Sequence, residues 1–360
     1  MKKIISLVLV LALGLTAKVA NADFVFGEPT NLGPTVNSGV GDYDPELSTD
    51  GLSLFFGSFR PGGVGETDLW VTTRETKDDP WGSPVNLGPT VNSPYEDTDP
   101  TLSTDGLTLH FNSTRPGGYG GRDLWVTTRP TINDPWAAPV NLGPAVNGSF
   151  NEGDTSIPAD GLSLYISDWG NPRAGGHGNY EIWVMTRKKL DDDWGSAVNP
   201  GSPLNTSYQD WSPNISPDGL LLLFTSNRPG GSGGNDTWLT RRATKDVPWG
   251  SPLNLGPTVN SANEDCDASL SADGSTLFFS RGLVNDYYSY DLWQVTIKPV
   301  VDLNGDGIVD AADMCIIVDH WGTDNSLCDI GPTPFGDGTV DVQDLIVLAE
   351  HLFEEFPPAE

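Results

Sequence analysis

The chain has 360 residues and a net charge of −30, from 49 Asp and Glu against 19 Lys and Arg. So large an acidic surplus argues against nucleic acid or an anionic membrane as partner, and it suits a protein that holds divalent cations. The length allows two or three domains. Three cysteines leave at least one unpaired, and no metal-type or redox Cys spacing appears.

Residues Met1–Ala22 read as a Sec signal peptide. Lys2 and Lys3 give the basic start, Ile4–Leu15 the apolar stretch and Ala20-Asn21-Ala22 the small-residue cleavage site. The apolar stretch is too short for a comfortable membrane span. Asp23, not Cys, follows the cleavage site, which argues against a lipoprotein anchor. The mature chain is expected to be secreted.

Residues 23–297 carry five copies of one unit. The tryptophan of an Asp-Leu-Trp-like strand recurs at Trp70, Trp125, Trp183, Trp238 and Trp293, in steps of 55, 58, 55 and 55 residues. An Asp-Gly turn recurs in register at Asp50, Asp105, Asp160, Asp218 and Asp273. In the second copy the strand signals are Asp99–Ser103, Leu107–Asn112, Asp123–Thr128 and Pro139–Leu142, punctuated by Gly, Pro, Asn and Asp. Four strands per copy at this period predict an all-β, five-bladed propeller. The outer-strand signature Asn-Leu-Gly-Pro starts at Asn31, Asn86, Asn141 and Asn254, and is degraded at Asn199. Its first copy precedes any other strand of a repeat, and the last repeat lacks one. The N-terminal segment is therefore expected to supply the outer strand of the fifth blade and close the ring.

Asp97, Pro100, Leu102-Ser103-Thr104-Asp105-Gly106 and Asp123-Leu124-Trp125 resemble the TolB-type, WD-repeat-like propeller repeats. The resemblance covers roughly residues 24–297. It implies a propeller that mostly binds other molecules, since one superfold hosts many functions.

Beyond a short linker, residues 298–301, the composition changes. Asp302, Asn304 and Asp306 stand at positions 1, 3 and 5 of a twelve-residue calcium loop. Gly307 is at 6, the Ile308 carbonyl at 7, Asp310 at 9 and Asp313 at 12. Hard oxygen ligands at this spacing wrap one Ca²⁺, and a helix is expected over Met314–Trp321. A second loop counts back from Asp344 through Asp341, Thr339, Gly338 and Asp337, but positions 3 and 1 fall on Phe335 and Thr333. Asp329 is the nearest upstream carboxylate, so either it closes a lengthened loop or the second site is weak. A helix over Val342–Phe353 follows. Two such loop–helix units at residues 302–356, before the tail 357–360, resemble a type I dockerin. That resemblance implies docking to a cohesin-like partner and association with polysaccharide-degrading systems. Positions 10 and 11, which often carry recognition hydroxyls in dockerins, are Ala311-Ala312 and Val342-Gln343 here. A small calcium-stapled cap with no cohesin is the other reading. Cys315 and Cys328 flank one helix-and-turn segment and are the plausible disulfide in an oxidising compartment. Cys266 is expected to be free.

Two rings of acids fall on the channel-mouth face of the propeller. One is Asp42, Asp97, Glu152, Asp210 and Asp265; the other is Asp44, Asp99, Asp154 and Asp267, with Ser212 at the fifth position. Such rings concentrate cations, or else cap backbone N–H groups. A within-blade ion pair is expected between the acid before each repeat tryptophan (Asp68, Asp123, Glu181, Asp236, Asp291) and Arg60, Arg115 or Arg228. Trp81, Trp136, Trp194 and Trp249 read as inter-blade packing. Symmetry breaks at the third blade's longer loop with Asp168 and Trp169, at Trp211 beside Asp210, and at Asn285–Tyr290 with Tyr287 and Tyr288. Aromatics beside carboxylates suit sugar binding, although loops also vary freely among repeats.

The expected function is a noncatalytic binding or scaffold protein, its propeller contacting glycan or protein. A glycoside hydrolase using Glu152 with Asp210 is the alternative. A purely structural exoprotein is a third reading. The four His form no cluster, and no Ser-His-Asp spacing, phosphate loop or catalytic zinc motif is present.

Overall fold

The computed structural model describes residues 24–355, apart from 171, 172, 177, 179, 305, 324, 326, 327, 332–335 and 337. The signal-peptide reading of Met1–Ala22 therefore lies outside the described residues.

Five antiparallel sheets form a mostly β, five-bladed propeller. The inner strands are Asp42–Leu47, Asp97–Leu102, Asn151–Ser156, Asp210–Ile215 and Glu264–Leu270. The second strands are Ser53–Ser58, Thr108–Ser113, Ser163–Trp169, Leu221–Ser226 and Thr276–Gly282. The third are Asp68–Thr73, Asp123–Thr128, Tyr180–Thr186, Asp236–Arg241 and Asp291–Pro299. The outer strands are pairs at Val85–Asn86, Val140–Asn141 and Leu253–Asn254. In the third blade the outer strand shrinks to one bridge, Val184 with Val198. Pro200, which has no N–H to donate, stands there in place of the motif's leucine.

The ring closes as the repeat count requires. Thr30 and Asn31 pair with Gln294 and Trp293, and Phe24–Phe26 continues along Ile297–Pro299. The Asn31 side chain donates to Asp291 at 2.8 Å, the same bond that Asn86, Asn141 and Asn254 make to Asp68, Asp123 and Asp236. One apolar cluster fills each of the five blade junctions, for example Phe55 and Leu69 against Leu109, Phe111 and Trp125. At the junction that joins the chain's two ends, Phe278 and Leu292 pack on Leu54 and Phe56. The loop tryptophans do reach neighbouring blades. Trp81 meets Phe278 edge-on at 6.2 Å, and Trp249 meets Tyr165 at 6.3 Å.

The expected ion pairs are corrected. Arg60 pairs with Asp42 at 2.6 Å, not with Asp68, and Arg115 and Arg228 likewise take Asp97 and Asp210. Arg173 with Glu152 and Arg281 with Asp265 complete a fivefold latch. The acid before the tryptophan instead accepts N–H groups of its own glycine loop. Asp123, for instance, accepts from Tyr119 at 2.6 Å and Gly120 at 2.9 Å. A carboxylate wrapped by its own loop has little room for a guanidinium, whose fork turns inward over Trp125 or its equivalents.

Two short helices follow, α1 (Ala311–Asp319) and α2 (Val342–Glu350). Both start some residues from or end short of their sequence estimates. α1 begins at Ala311 because Asp310 and Asp313 form a capping box, as Asp341 and Asp344 do for α2. Val309, Ile317, Ile330, Val340 and Leu348 form their shared core. The expected disulfide is not formed: Cys315 and Cys328 are both free. Cys328 is buried in that core. Cys315 is exposed, two residues from buried Asp313 and Ile317 and so on the opposite face of α1. Cys266 is free and buried. Among the described residues no helix is long and apolar enough to cross a membrane.

His110 sets an acid-lability prediction. Its Nδ1 is buried without a hydrogen-bond partner. Burial first, and then the Arg187 charge, push its pKa from 6.5 down to about 4. The unfolded chain binds this proton more readily, so its contribution is intact above pH 6.5 and is lost as pH falls toward 4. Between pH 7.5 and 4.5, His110→Gln is expected to lose less stability than wild type, by on the order of 2 kcal/mol. Urea midpoints at the two pH values check this.

Candidate functional site

Each inner strand carries a β-bulge where it meets the channel, with register shifts at Tyr43/Glu46, Thr98/Thr101, Gly153/Thr155, Trp211/Asn214 and Cys266/Ser269. Asp44, Asp99, Ser212 and Asp267 sit there at φ of 55°, 54°, 48° and 54°, in the left-handed region that non-glycine residues seldom adopt. Asp154 is the third-blade equivalent. The bulges place these four aspartates in the lining of the central channel.

Above them opens a cavity of about 330 Å³ lined by Tyr43, Phe59, Thr67, Glu96, Arg122, Trp169, Tyr180, Trp211, Tyr287 and Tyr290 as well as the four aspartates. The aromatic wall is continuous in part. Trp169 stacks on Tyr180 at 6.3 Å, and Tyr180 meets Trp211 at 6.2 Å. Tyr287 stands edge-on to Tyr290 at 5.5 Å. Gly153 makes room for the wall, since a Cβ there would collide with the Trp169 ring. The Trp211 indole N–H is buried and has no protein acceptor, as is also true of the scaffold Trp70, Trp81, Trp125 and Trp183.

Arg122 is the one lysine or arginine among these lining residues. It pairs with Glu96 at 2.5 Å, stands 3.7 Å from Asp99 and lies 4.6 Å over the Trp169 ring. The remaining charge is negative. Burial, then the neighbouring Asp99 and Asp267 charges, hold Asp44 and Asp154 well above the usual carboxylate range. Burial also lifts Asp267, to about 6.

Of the expected ligand residues, Trp169, Trp211 and Tyr287 line this cavity. Tyr288 is exposed and packs at a tilt, 4.6 Å between ring centres, against Phe59, a lining residue. Asp168 and Asp210 do not line it, being held by Arg173 and Arg228. Glu152 is likewise fully buried against Arg173 at 2.8 Å, and burial pushes it up to about 7. Glu152 and Asp210 thus belong to the latch and not to the cavity, which corrects their reading as a catalytic pair. The outer ring of acids behaves as caps: Asp42, Asp97, Glu152, Asp210 and Asp265 accept from the N–H of Ser38, Ser93, Gly148, Thr206 and Ser261.

Tyr43, Phe59, Thr67, Glu96, Arg122, Tyr180 and Tyr290 were not singled out as ligand contacts. A signal for several was present. The residue before the strand acid of each repeat is Thr67, Arg122, Tyr180, Asn235 or Tyr290, different in almost every copy of an otherwise constant motif, and four of these five line the cavity.

The C-terminal loops repeat one geometry. Asp302 accepts from Gly307 N–H at 2.9 Å, and Asp329 accepts from Gly338 N–H at 2.8 Å. Gly307 and Gly338 have φ of 91° and 90°. Asp313 accepts from Leu303, Asn304 and Asp310, and Asp344 from Gly331 and Asp341. Asp329 therefore occupies in the second loop the place of Asp302 in the first, despite the longer intervening chain. Asp310 and Asp341 cap the helices through Ala312 and Gln343. Asn304 and Asp306 bond to each other at 3.0 Å, and Ile308 N–H donates to Asp306. Asp337 lies outside the described residues, beside Thr339. The donor set is all oxygen around a sharp glycine turn, which fits Ca²⁺.

No family model matches the chain, and no curated protein matches it. Solved structures do. An alpha-L-arabinofuranosidase from Podospora anserina, in complex with cellotriose, is similar over 77% of this chain and 98% of that one, at 13% identity and TM-score 0.50. A glycoside hydrolase is similar over 78% and 93%, at 10% identity and TM-score 0.51. TolB from Acinetobacter baumannii is similar over 71% of this chain and 54% of that one, at 13% identity and TM-score 0.43, so the chain spans about half of its length. The likeness is one of fold. At these identities it carries no residue roles across.

Proposed function

We propose that the protein is exported by Met1–Ala22 and acts as a noncatalytic binding component in extracellular polysaccharide use. Its channel-mouth pocket holds one or two units of a neutral glycan. The observation that carries this is the convergence of Trp169, Tyr180, Trp211 and Tyr287 over a carboxylate floor. Aromatic faces stack on the apolar faces of sugar rings, and carboxylates accept from hydroxyls. The acidic surplus disfavours uronic acids by charge repulsion. The C-terminal loops bind Ca²⁺ through Asp302, Asn304, Asp306, Ile308, Asp310 and Asp313, and through Asp329, Thr339, Asp341 and Asp344 with Asp337. Metal-bound, they form a dockerin-like face for a cohesin-like partner.

A second reading is a glycoside hydrolase at the same pocket. It is favoured by Asp44 and Asp154, which burial and neighbouring charge hold well above the usual carboxylate range, as a general acid requires. Against it, the candidate acids recur at one position of nearly every blade, whereas glycosidase chemistry needs two carboxylates in unlike roles.

The test is a binding-and-turnover screen of the full secreted chain on neutral and acidic polysaccharides. Binding without product is expected, and Trp211→Ala and Trp169→Ala should each weaken it about tenfold, the loss of roughly 1–1.5 kcal/mol of aromatic contact. Product release would select the second reading. Full binding by the double variant, or no binding to any glycan, would remove the glycan site.

A further inference from the structure

The floor of the pocket poses a separate problem. Asp44, Asp99, Asp154 and Asp267 line both this cavity and a smaller one of about 40 Å³, which Pro45, Pro100 and Pro213 also line. Asp99, Asp154 and Asp267 are 6%, 7% and 6% exposed. The one guanidinium among the lining residues, Arg122, is paired with Glu96 and reaches only Asp99, at 3.7 Å, so one positive charge faces four carboxylates. Carboxylates buried at this density need a counter-ion or protons.

Donors from the protein do not suffice. Asn112 donates to Asp99 and Ser167 to Asp154. The single Thr98 hydroxyl lies 2.9 Å from Asp44 Oδ2 and 3.0 Å from Asp99 Oδ1, and it has one proton for both. Asp267 Oδ1 is buried and receives no hydrogen bond at all. A buried, unpartnered carboxylate oxygen in a channel lined by three further carboxylates is a ready ligand for a cation.

We propose that Asp44, Asp99 and Asp154, with the unpartnered Asp267 lining the same channel, hold one Ca²⁺ independent of the C-terminal loops. The spacing selects the ion. Oxygens of Asp44, Asp99 and Asp154 all lie within 4.8 Å of one another. Ligands at about 2.3–2.6 Å from Ca²⁺ span up to about 5 Å, whereas Mg²⁺ at about 2.0–2.1 Å requires a tighter octahedron. The set holds neither nitrogen nor sulfur, which disfavours zinc and copper. The site joins four blades through their bulges, so the ion fastens the ring from inside. The same carboxylates floor the proposed glycan pocket, but the ion is titrated with no sugar present, so its binding is read separately from glycan binding.

The experiment uses the full chain stripped with chelator and titrated with Ca²⁺ alone, counting bound ions by equilibrium dialysis. Asp302→Ala/Asp329→Ala silences both C-terminal loops. This silenced chain is expected to keep one Ca²⁺ per chain and to melt higher when calcium is present. Adding Asp99→Asn, or separately Asp154→Asn, should lower that remaining affinity at least tenfold and erase the thermal shift. Both changes preserve side-chain shape. The silenced chain's own count needs no channel variant, so a poorly folding one does not stall the test. No ion bound by the silenced chain at millimolar calcium, or unchanged binding in both asparagine variants, would overturn the proposal.

Discussion

Arg115→Ala is expected to destabilise the protein by about 3–5 kcal/mol, the range for stranding one partner of a buried pair. Arg115 donates to Asp97 and, at 2.6 Å, to the Val91 carbonyl, and its Nε donates to Ser113 at 2.9 Å. Its guanidinium lies 5.0 Å over Phe111 and 5.2 Å over Trp125. Asp97 is fully buried. Burial already raises its pKa, opposed by Ser113 and Arg115. Removing the arginine leaves that carboxyl with its desolvation and without its main counter-charge. Arg115→Ala/Asp97→Asn should recover part of the loss, so the two substitutions couple in a double-mutant cycle. Asp123→Asn is expected to cost only about 1–2 kcal/mol, because it weakens loop N–H bonds and strands no charge. Urea denaturation of the four variants decides. A large loss for Asp123→Asn with little for Arg115→Ala would restore the pairing that sequence spacing suggests.

That reversal shows what kind of information the repeats hold. Period, strand alternation and the displaced Asn-Leu-Gly-Pro copy determine the blade count and the closing strand, because each is a constraint on backbone order. Which of two acids takes Arg115 is a question of side-chain direction at a bulge and a glycine loop. Both acids recur fivefold, so recurrence cannot rank them. The pocket was legible where a residue departs from its copies by size, as Trp169, Trp211 and Tyr287 do. Arg122 and Tyr180 depart as much, but they sit inside a motif whose neighbours, Asp123-Leu124-Trp125 and Glu181-Ile182-Trp183, read as scaffold. Gly153 is the complementary case. Its smallness looks like drift among Tyr43, Thr98, Trp211 and Cys266 until Trp169 is seen packed against it. The disulfide failed because a thirteen-residue separation says nothing about helix face, and Cys315 lies opposite the buried side of α1.

Calcium removal is expected to unfold the C-terminal loop–helix pair while leaving the propeller folded. The pair has a small core, eight buried residues among those described around α1 and α2, and units of this size usually need a metal or another staple. At a thousandfold excess over Kd, one bound ion adds about 4 kcal/mol, comparable to the whole stability of so small a unit. Chelator should therefore expose the segment to protease and yield a core ending near Pro299, the end of the last blade strand. The two loops should not contribute equally. Asp313 is fully buried and gathers three N–H groups at the end of a compact twelve-residue loop. Asp344 is equally buried, but its loop runs from Asp329 and must fold a longer connection around the ion, at a greater entropic cost. Asp313→Asn is thus expected to raise the calcium concentration for half-protection at least tenfold, and Asp344→Asn by less. Equal resistance with and without chelator would mean that the two capping boxes and the apolar core hold the helices alone. The proposed docking face would then be permanently formed and not gated by the metal.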